Sequence, residues 1–313
     1  MLILKNKVMV ANTGDDTLTY IELGEEKKIE NIDLKSLVNR NAGRLISLDD
    51  SFIGPYDIAS NGKGYIYCTN VYNNSVFKMD YKNKKILDII SVGSYPTCIK
   101  YYKDHLFVTN SDSNSISIID EKSFSLIENI PVGERPVDIE IDEVNMDIYV
   151  ANSNEYSINV IGLNGGDNQV IKLNNNPVKI IIFGDEIYIL SNINNGIINR
   201  SNISILDLKT YDIKDSNDFK GIFNNMIKIY RREIIFITNM DNGYLYRMDL
   251  KKKNLLSKTY LAGMPNKLEW DGVNTLIISN ISNNMLTLYD IDKDKAKENI
   301  KVGIEPNGIL VFN

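Results

Sequence analysis

Hydrophobic residues in this chain come in short runs, each closed by small and polar residues. In residues 106–120, LFVTNSDSNSISIID, an apolar run ends at Thr109-Asn110 and a second ends at Asp120. Within Ser115-Ile116-Ser117-Ile118 every second side chain is apolar, which is the period of a strand with one buried face. Val178 to Phe183 is apolar almost throughout, which predicts an innermost strand packed on both faces. Gly184-Asp185, Asp241-Asn242-Gly243 and Asp271-Gly272 separate such runs, and Gly, Asn and Asp accept the positive φ of tight turns.

The pattern recurs. An apolar residue, a small residue and an asparagine end a run at Asn12, Asn70, Asn110, Asn152, Asn192, Asn239 and Asn280, and from Asn70 on the spacing suits a propeller blade. A second column stands ten residues later at Glu22, Asp80, Asp120, Asp249 and Asp290; Gly162 takes its place once, and Asp207 follows a short insertion. The third column is Gly-x-x-Pro, at Pro96, Pro136 and Pro306 and more loosely at Pro55, Pro177 and Pro265, with Met226 read in the place of the missing proline. These columns take up six of the seven prolines. Four short antiparallel strands repeated seven times predict one all-β domain over residues 1–313, a seven-bladed β-propeller.

Val108-Thr109-Asn110 after Phe107, with Ile118-Ile119-Asp120 and Val132-Gly133-Glu134-Arg135-Pro136, resembles the YVTN-type propeller repeat of surface-layer-associated proteins and the YncE-like bacterial propellers. The resemblance runs along essentially the whole chain. It implies the fold and little about activity, because the shared residues are those that build blades. The column asparagines are expected to close turns by bonding local backbone, and the column aspartates to cap the turn after the third strand.

Function is expected where the repeats disagree. The residues before the column proline include Tyr95, Arg135 and Glu305; those two after it include Asp57, Asp138, Lys179, Lys228 and Lys267. Placed around one mouth of a central channel, they form an acidic and a cationic arc that either holds a polar ligand or pairs with itself. Residues 34–52 are an insertion on the same face, with Asp33 able to cap a short helix through Leu37-Val38 and the remainder open to a lid, a partner surface or packing over the blade. A smaller insertion spans 192–202. Pro306 to Phe312 is expected to supply the innermost strand at ring closure, with Met1 to Leu4 displaced or adding a strand.

Composition narrows the chemistry. A net charge of −6 without a basic stripe gives nucleic acid nothing to grip. No apolar run reaches the roughly 18 residues of a membrane span, and Met1-Leu2-Ile3-Leu4 is too short for a signal peptide, so a cytoplasmic location is expected, with cell-surface association left open. Cys68 and Cys98 are the only cysteines and His105 the only histidine, too few for a disulfide framework or a zinc site, and His105 alone could serve as the base of a triad. Cys68 reads as core, Cys98 as nearer the channel, and His105 as facing away from the mouth. Propeller lyases resembling virginiamycin B lyase use a channel histidine that this chain lacks. Propeller lactonases hold a divalent cation with channel oxygens, for which Glu305, Asn176, Asn225 and Asp57 are the candidates. The leading expectation is a non-enzymatic scaffold, without a cofactor, that binds a protein, peptide or glycan at the channel mouth. The alternative is a metal-assisted hydrolase or lyase. Oligomeric state cannot be read from these patterns.

Overall fold

A computed structural model describes residues 7–24, 26–41, 53–163, 168–194, 199–230 and 233–312. The strands form seven sheets, each of four antiparallel strands. Blade 1 runs outward from Pro306–Phe312 through Lys7–Asn12 and Thr17–Glu22 to Lys28–Asp33. Blades 2 to 6 begin with inner strands Pro55–Ser60, Pro96–Tyr102, Pro136–Asp142, Asn176–Phe183 and Asn225–Ile229, and blade 7 with Pro265–Trp270. The C-terminal strand therefore closes the ring as the innermost strand of blade 1, with Lys7 opposite Phe312 and Asn12 opposite Pro306. Met1 to Leu4 lie outside the described residues.

The core lies between blades. Seven clusters of buried side chains each join one blade to the next: Met9, Ala11 and Leu18 of blade 1 meet Ile58, Cys68 and Phe77 of blade 2, and Val8 and Val10 meet Ile277 and Leu286 of blade 7. The second strand of each blade feeds both neighbouring interfaces, so it is buried on both faces. This corrects the reading of Val178 to Phe183: within that run only Ile180 is buried, because one side looks into the channel.

The asparagine column is also more specific than expected. In blades 1 to 4 the Asn side-chain amide donates across to the third strand, Asn12 to Thr17 and Thr19, Asn70 to Ser75, Asn110 to Ser115 and Ser117, and Asn152 to Ser157 and Asn159. Asn239 instead caps local backbone, accepting from the amides of Asp241 and Asn242. The glycines of Gly-x-x-Pro follow from this: a Cβ on Gly93, Gly133 or Gly303 would come within 2.7 Å of the amide group of Asn110, Asn152 or Asn12. The column aspartates do cap their turns, Asp80 accepting from Lys82 and Asn83, Asp120 from Ser123, and Asp290 from Asp292 and Lys293.

Asp33 caps the helix Leu34–Asn41 by accepting from the Ser36 amide at 3.2 Å. Leu34 is fully buried against the core between blades 1 and 2, with Leu37 beside it, so this part of the insertion is packing. Residues 42–52 lie outside the described residues. In the second insertion the middle strands of blade 5 lengthen into Glu186–Asn194 and Asn199–Asp207, extending that hairpin on the mouth side.

Candidate functional site

The inner strands of blades 3, 4 and 5 each carry a bulge directly after the proline, between Pro96 and Cys98, Pro136 and Asp138, and Pro177 and Lys179, and those of blades 1, 2 and 7 are irregular at the same place. In a regular strand successive side chains point to opposite faces; a bulge re-aims them. Both residues after the proline therefore reach the mouth of the channel, where they line a cavity of about 630 Å³. Its wall is rich in amides, including Asn176, Asn224, Asn225, Asn266 and Asn307, with Tyr56 and Tyr95 on the opposite arc.

Six of the eight sequence candidates line this cavity: Asp57, Tyr95, Arg135, Asp138, Lys179 and Lys267. Lys228 and Glu305 do not. Lys228 is 5% exposed, its ammonium 5.0 and 4.9 Å from the ring centres of Phe183 and Tyr188 and 3.2 Å from Glu233. The inner strand of blade 6 has no such bulge, and Asn225 pairs with Thr238 where Asp138 pairs with Ala151. Phe223, rather than Met226, thus fills the proline position, and Asn225 rather than Lys228 is the mouth residue. Glu305 is exposed and lies against the loop at Gly14.

The acidic and cationic arcs pair with each other. Lys179 donates to both carboxylate oxygens of Asp138 at 2.9 Å, and Lys267 reaches Asp57 at 3.1 Å. Each aspartate also accepts an amide of the next blade, Asp57 from Ile99 and Asp138 from Ile180, so both carboxylates are inter-blade ties. Lys267 spans from blade 7 to blade 2 above Gly308 of blade 1, where a Cβ would be 2.6 Å from the Tyr56 carbonyl oxygen. Burial works against the charge of Lys267, but Asp57, Cys98 and Glu269 together outweigh it and raise its pKa. Arg135 is exposed at the mouth and its guanidinium has no hydrogen bond or ion pair among the described residues.

A deeper polar layer escaped the sequence reading. Lys100 is 3.2 Å from Glu140, and the field of that carboxylate raises the Lys100 pKa. Burial pushes the Glu269 carboxyl up, against the pull of Lys267, Lys100 and Lys179. The signal was present: Lys100, Glu140 and Glu269 each stand four residues after a column proline, a charged position repeated in three inner strands. Cys98 lines the cavity but is 3% exposed, and burial, with Asp57 and Asp138 nearby, pushes its thiol up to about 12. Cys68 is fully buried in the core between blades 1 and 2. His105 begins the second strand of blade 3, its Nδ1–H donating to the Lys103 carbonyl, away from the cavity.

A line of hydrogen bonds runs along the other wall. Asn224 donates to Asn266, Asn266 to Asn307, and Asn307 to Thr13, whose hydroxyl donates to the Pro55 carbonyl. A carbonyl can only accept, so the terminal Pro55 oxygen fixes the direction of the whole line. The atom left over at its start is then the Asn224 amide oxygen, which is buried without a partner, as is that of Asn176. Among the described residues no three His, Cys, Asp or Glu side chains come together as a metal site requires, and Glu305 stands apart from Asp57, Asn176 and Asn225.

No family model matches this chain, and no curated protein matches it in sequence. Its fold is similar to that of hydrazine synthase from Kuenenia stuttgartiensis, at a TM-score of 0.75 and 17% identity over 85% of this chain and 90% of that one. It is also similar to a putative 6-phosphogluconolactonase from Bacteroides fragilis, at a TM-score of 0.72 and 11% identity over 100% and 99% of the two chains. AztD from Citrobacter koseri aligns at a TM-score of 0.60 and 12% identity over 98% and 97%. At these identities the likeness is one of fold.

Proposed function

We propose that this propeller, with repeats of the YVTN type, is a binding module that takes a protein, peptide or glycan group at the channel mouth and does no chemistry on it. Fold does not fix function, and similar propellers include a hydrazine synthase; the reading rests on the site. The observation that carries it is the 630 Å³ cavity in which both mouth lysines and both mouth aspartates are already tied to one another, leaving amides, hydroxyls and tyrosines to meet a ligand. A metal-assisted hydrolase or lyase needs carboxylates free to hold a cation and a base beside them. Asp57 and Asp138 are instead committed to lysines and to backbone amides.

Arrays of glycans and of peptides, probed with the wild type and with Tyr95→Ala/Asn266→Ala, test the reading. Ligands retained by the wild type and lost by the variant are expected. Equal retention by both would move binding away from the mouth. Native mass spectrometry before and after a chelator guards the other side: a stoichiometric divalent ion removed by the chelator would favour the hydrolase or lyase.

A further inference from the structure

Resting on the binding reading, we infer that the group taken at the mouth is a sugar carrying one anionic substituent, a carboxylate or a phosphate. Three observations converge. First, the charges of Asp57, Asp138, Lys179 and Lys267 cancel in two ion pairs, so Arg135 is the cavity-lining charge without a counter-charge among the described residues. The mouth carries a surplus of one positive charge on a planar donor fork suited to a carboxylate or phosphate.

Second, the backbone holds Tyr95 and Arg135 at φ 56° and 53°, a left-handed conformation that glycine adopts most readily, and Gly54 does so at the equivalent place before Pro55. Glu305 shares that conformation without lining the cavity; Tyr95 and Arg135, on adjacent blades, are the two such side chains that do line it. Tyr95, 37% exposed, offers a ring face on which the C–H face of a sugar can lie. Third, the next arc of the wall is rich in amides, with Asn176, Asn224, Asn225 and Asn266 lining the cavity. Amides both donate and accept, as sugar hydroxyls do, whereas an apolar side chain would meet them with neither. Arg135, Asn176 and Asn224 belong to successive blades 4, 5 and the start of 6, so one ligand can address the anion site and the hydroxyl sites together.

Isothermal titration of the full chain with glucuronate, glucose 6-phosphate and glucose, on the wild type and on Arg135→Gly, tests this. Glycine suits the local φ, so the variant keeps the fold. The expected result is binding of glucuronate or glucose 6-phosphate at least tenfold tighter than glucose, a difference erased in Arg135→Gly and reduced by added salt; which of the two binds tighter distinguishes carboxylate from phosphate. Glucose bound equally well, or an anion preference that survives Arg135→Gly, overturns the inference and leaves a binding module. Peptides captured at the mouth in place of all three sugars do the same. No ligand from sugars or peptides at the mouth overturns both.

Discussion

Arg135, Tyr95 and Glu305 share an unusual backbone because the fold uses their peptide groups, whatever their side chains do. Their carbonyls accept the amide that follows the column asparagine, from Ser153, Ser111 and Thr13, at 2.9 to 3.0 Å. Their own amides donate to Asn114, Asn74 and Asn284 in the turn of the preceding blade. The positive φ is therefore imposed, and side chains should differ in how well they tolerate it. Arg135→Gly is expected to change unfolding free energy by less than about 1 kcal/mol, while the β-branched Arg135→Val loses about 1–3 kcal/mol. Urea denaturation of the two variants checks this, and equal midpoints would show that the position is not held in that conformation. At the same scale, the thiol of Cys98, buried and pushed up to about 12, is expected to resist a thiol reagent at pH 8 until the protein unfolds. Rapid labelling of the native protein would contradict that burial. That Tyr95 and Arg135 break the repeat beside the column proline was legible in the sequence; their backbone conformation was not, since it depends on an asparagine one blade away.

At the scale of strands and turns, the columns of asparagine, aspartate and proline gave the blades in register with one exception. Phe223-Asn224-Asn225-Met226 matches Pro265-Asn266-Lys267-Leu268 position for position, with Met226 buried like Leu268. Counting from Met226 as a missing proline instead shifted the strand by three and brought Lys228 to the mouth, an error that the buried apolar position could have prevented. The turn aspartates carry a pH dependence. Backbone amides hold Asp80, Asp120 and Asp290 below the usual carboxylate range, and Lys214 with two turn amides brings Asp207 to about 2. Each such group stabilises the fold above its unfolded pKa of about 4, and that contribution is lost as pH falls through the folded value. Stability should thus drop between about pH 4 and pH 2, with buried Glu269 acting in the opposite sense. Asp207→Asn should show a smaller drop in urea midpoint from pH 7 to pH 3 than the wild type; an identical drop would mean that this turn is not among the acid-sensitive ones. Gly308→Ala tests the inner layer: a Cβ 2.6 Å from the Tyr56 oxygen and 2.8 Å from the Asp57 Cα must move backbone, and about 1–3 kcal/mol of stability is expected to go with it.

Across the whole molecule, stability is distributed over seven inter-blade cores, so the ring is only as good as its closure. Pro306–Phe312 supplies Ile309 to the core between blades 7 and 1 and packs Leu310 and Phe312 against the core between blades 1 and 2. Its Asn307 also carries the amide line from blade 7 to Thr13. Without this strand, Lys7–Asn12 has an unpaired inner edge and two of the seven cores open to water. Deleting residues 306–312 is therefore expected to abolish the cooperative urea transition rather than lower its midpoint by an increment. Trp270, the only tryptophan, packs in the core between blades 6 and 7, one interface from the closure, and reports unfolding by fluorescence. If the strand acts by closing the ring, a peptide of residues 306–312 added in excess should restore a cooperative transition, because the partner edge and both half-cores are already encoded in the truncated chain. A truncated chain that unfolds with the wild-type midpoint and slope would place the closure elsewhere.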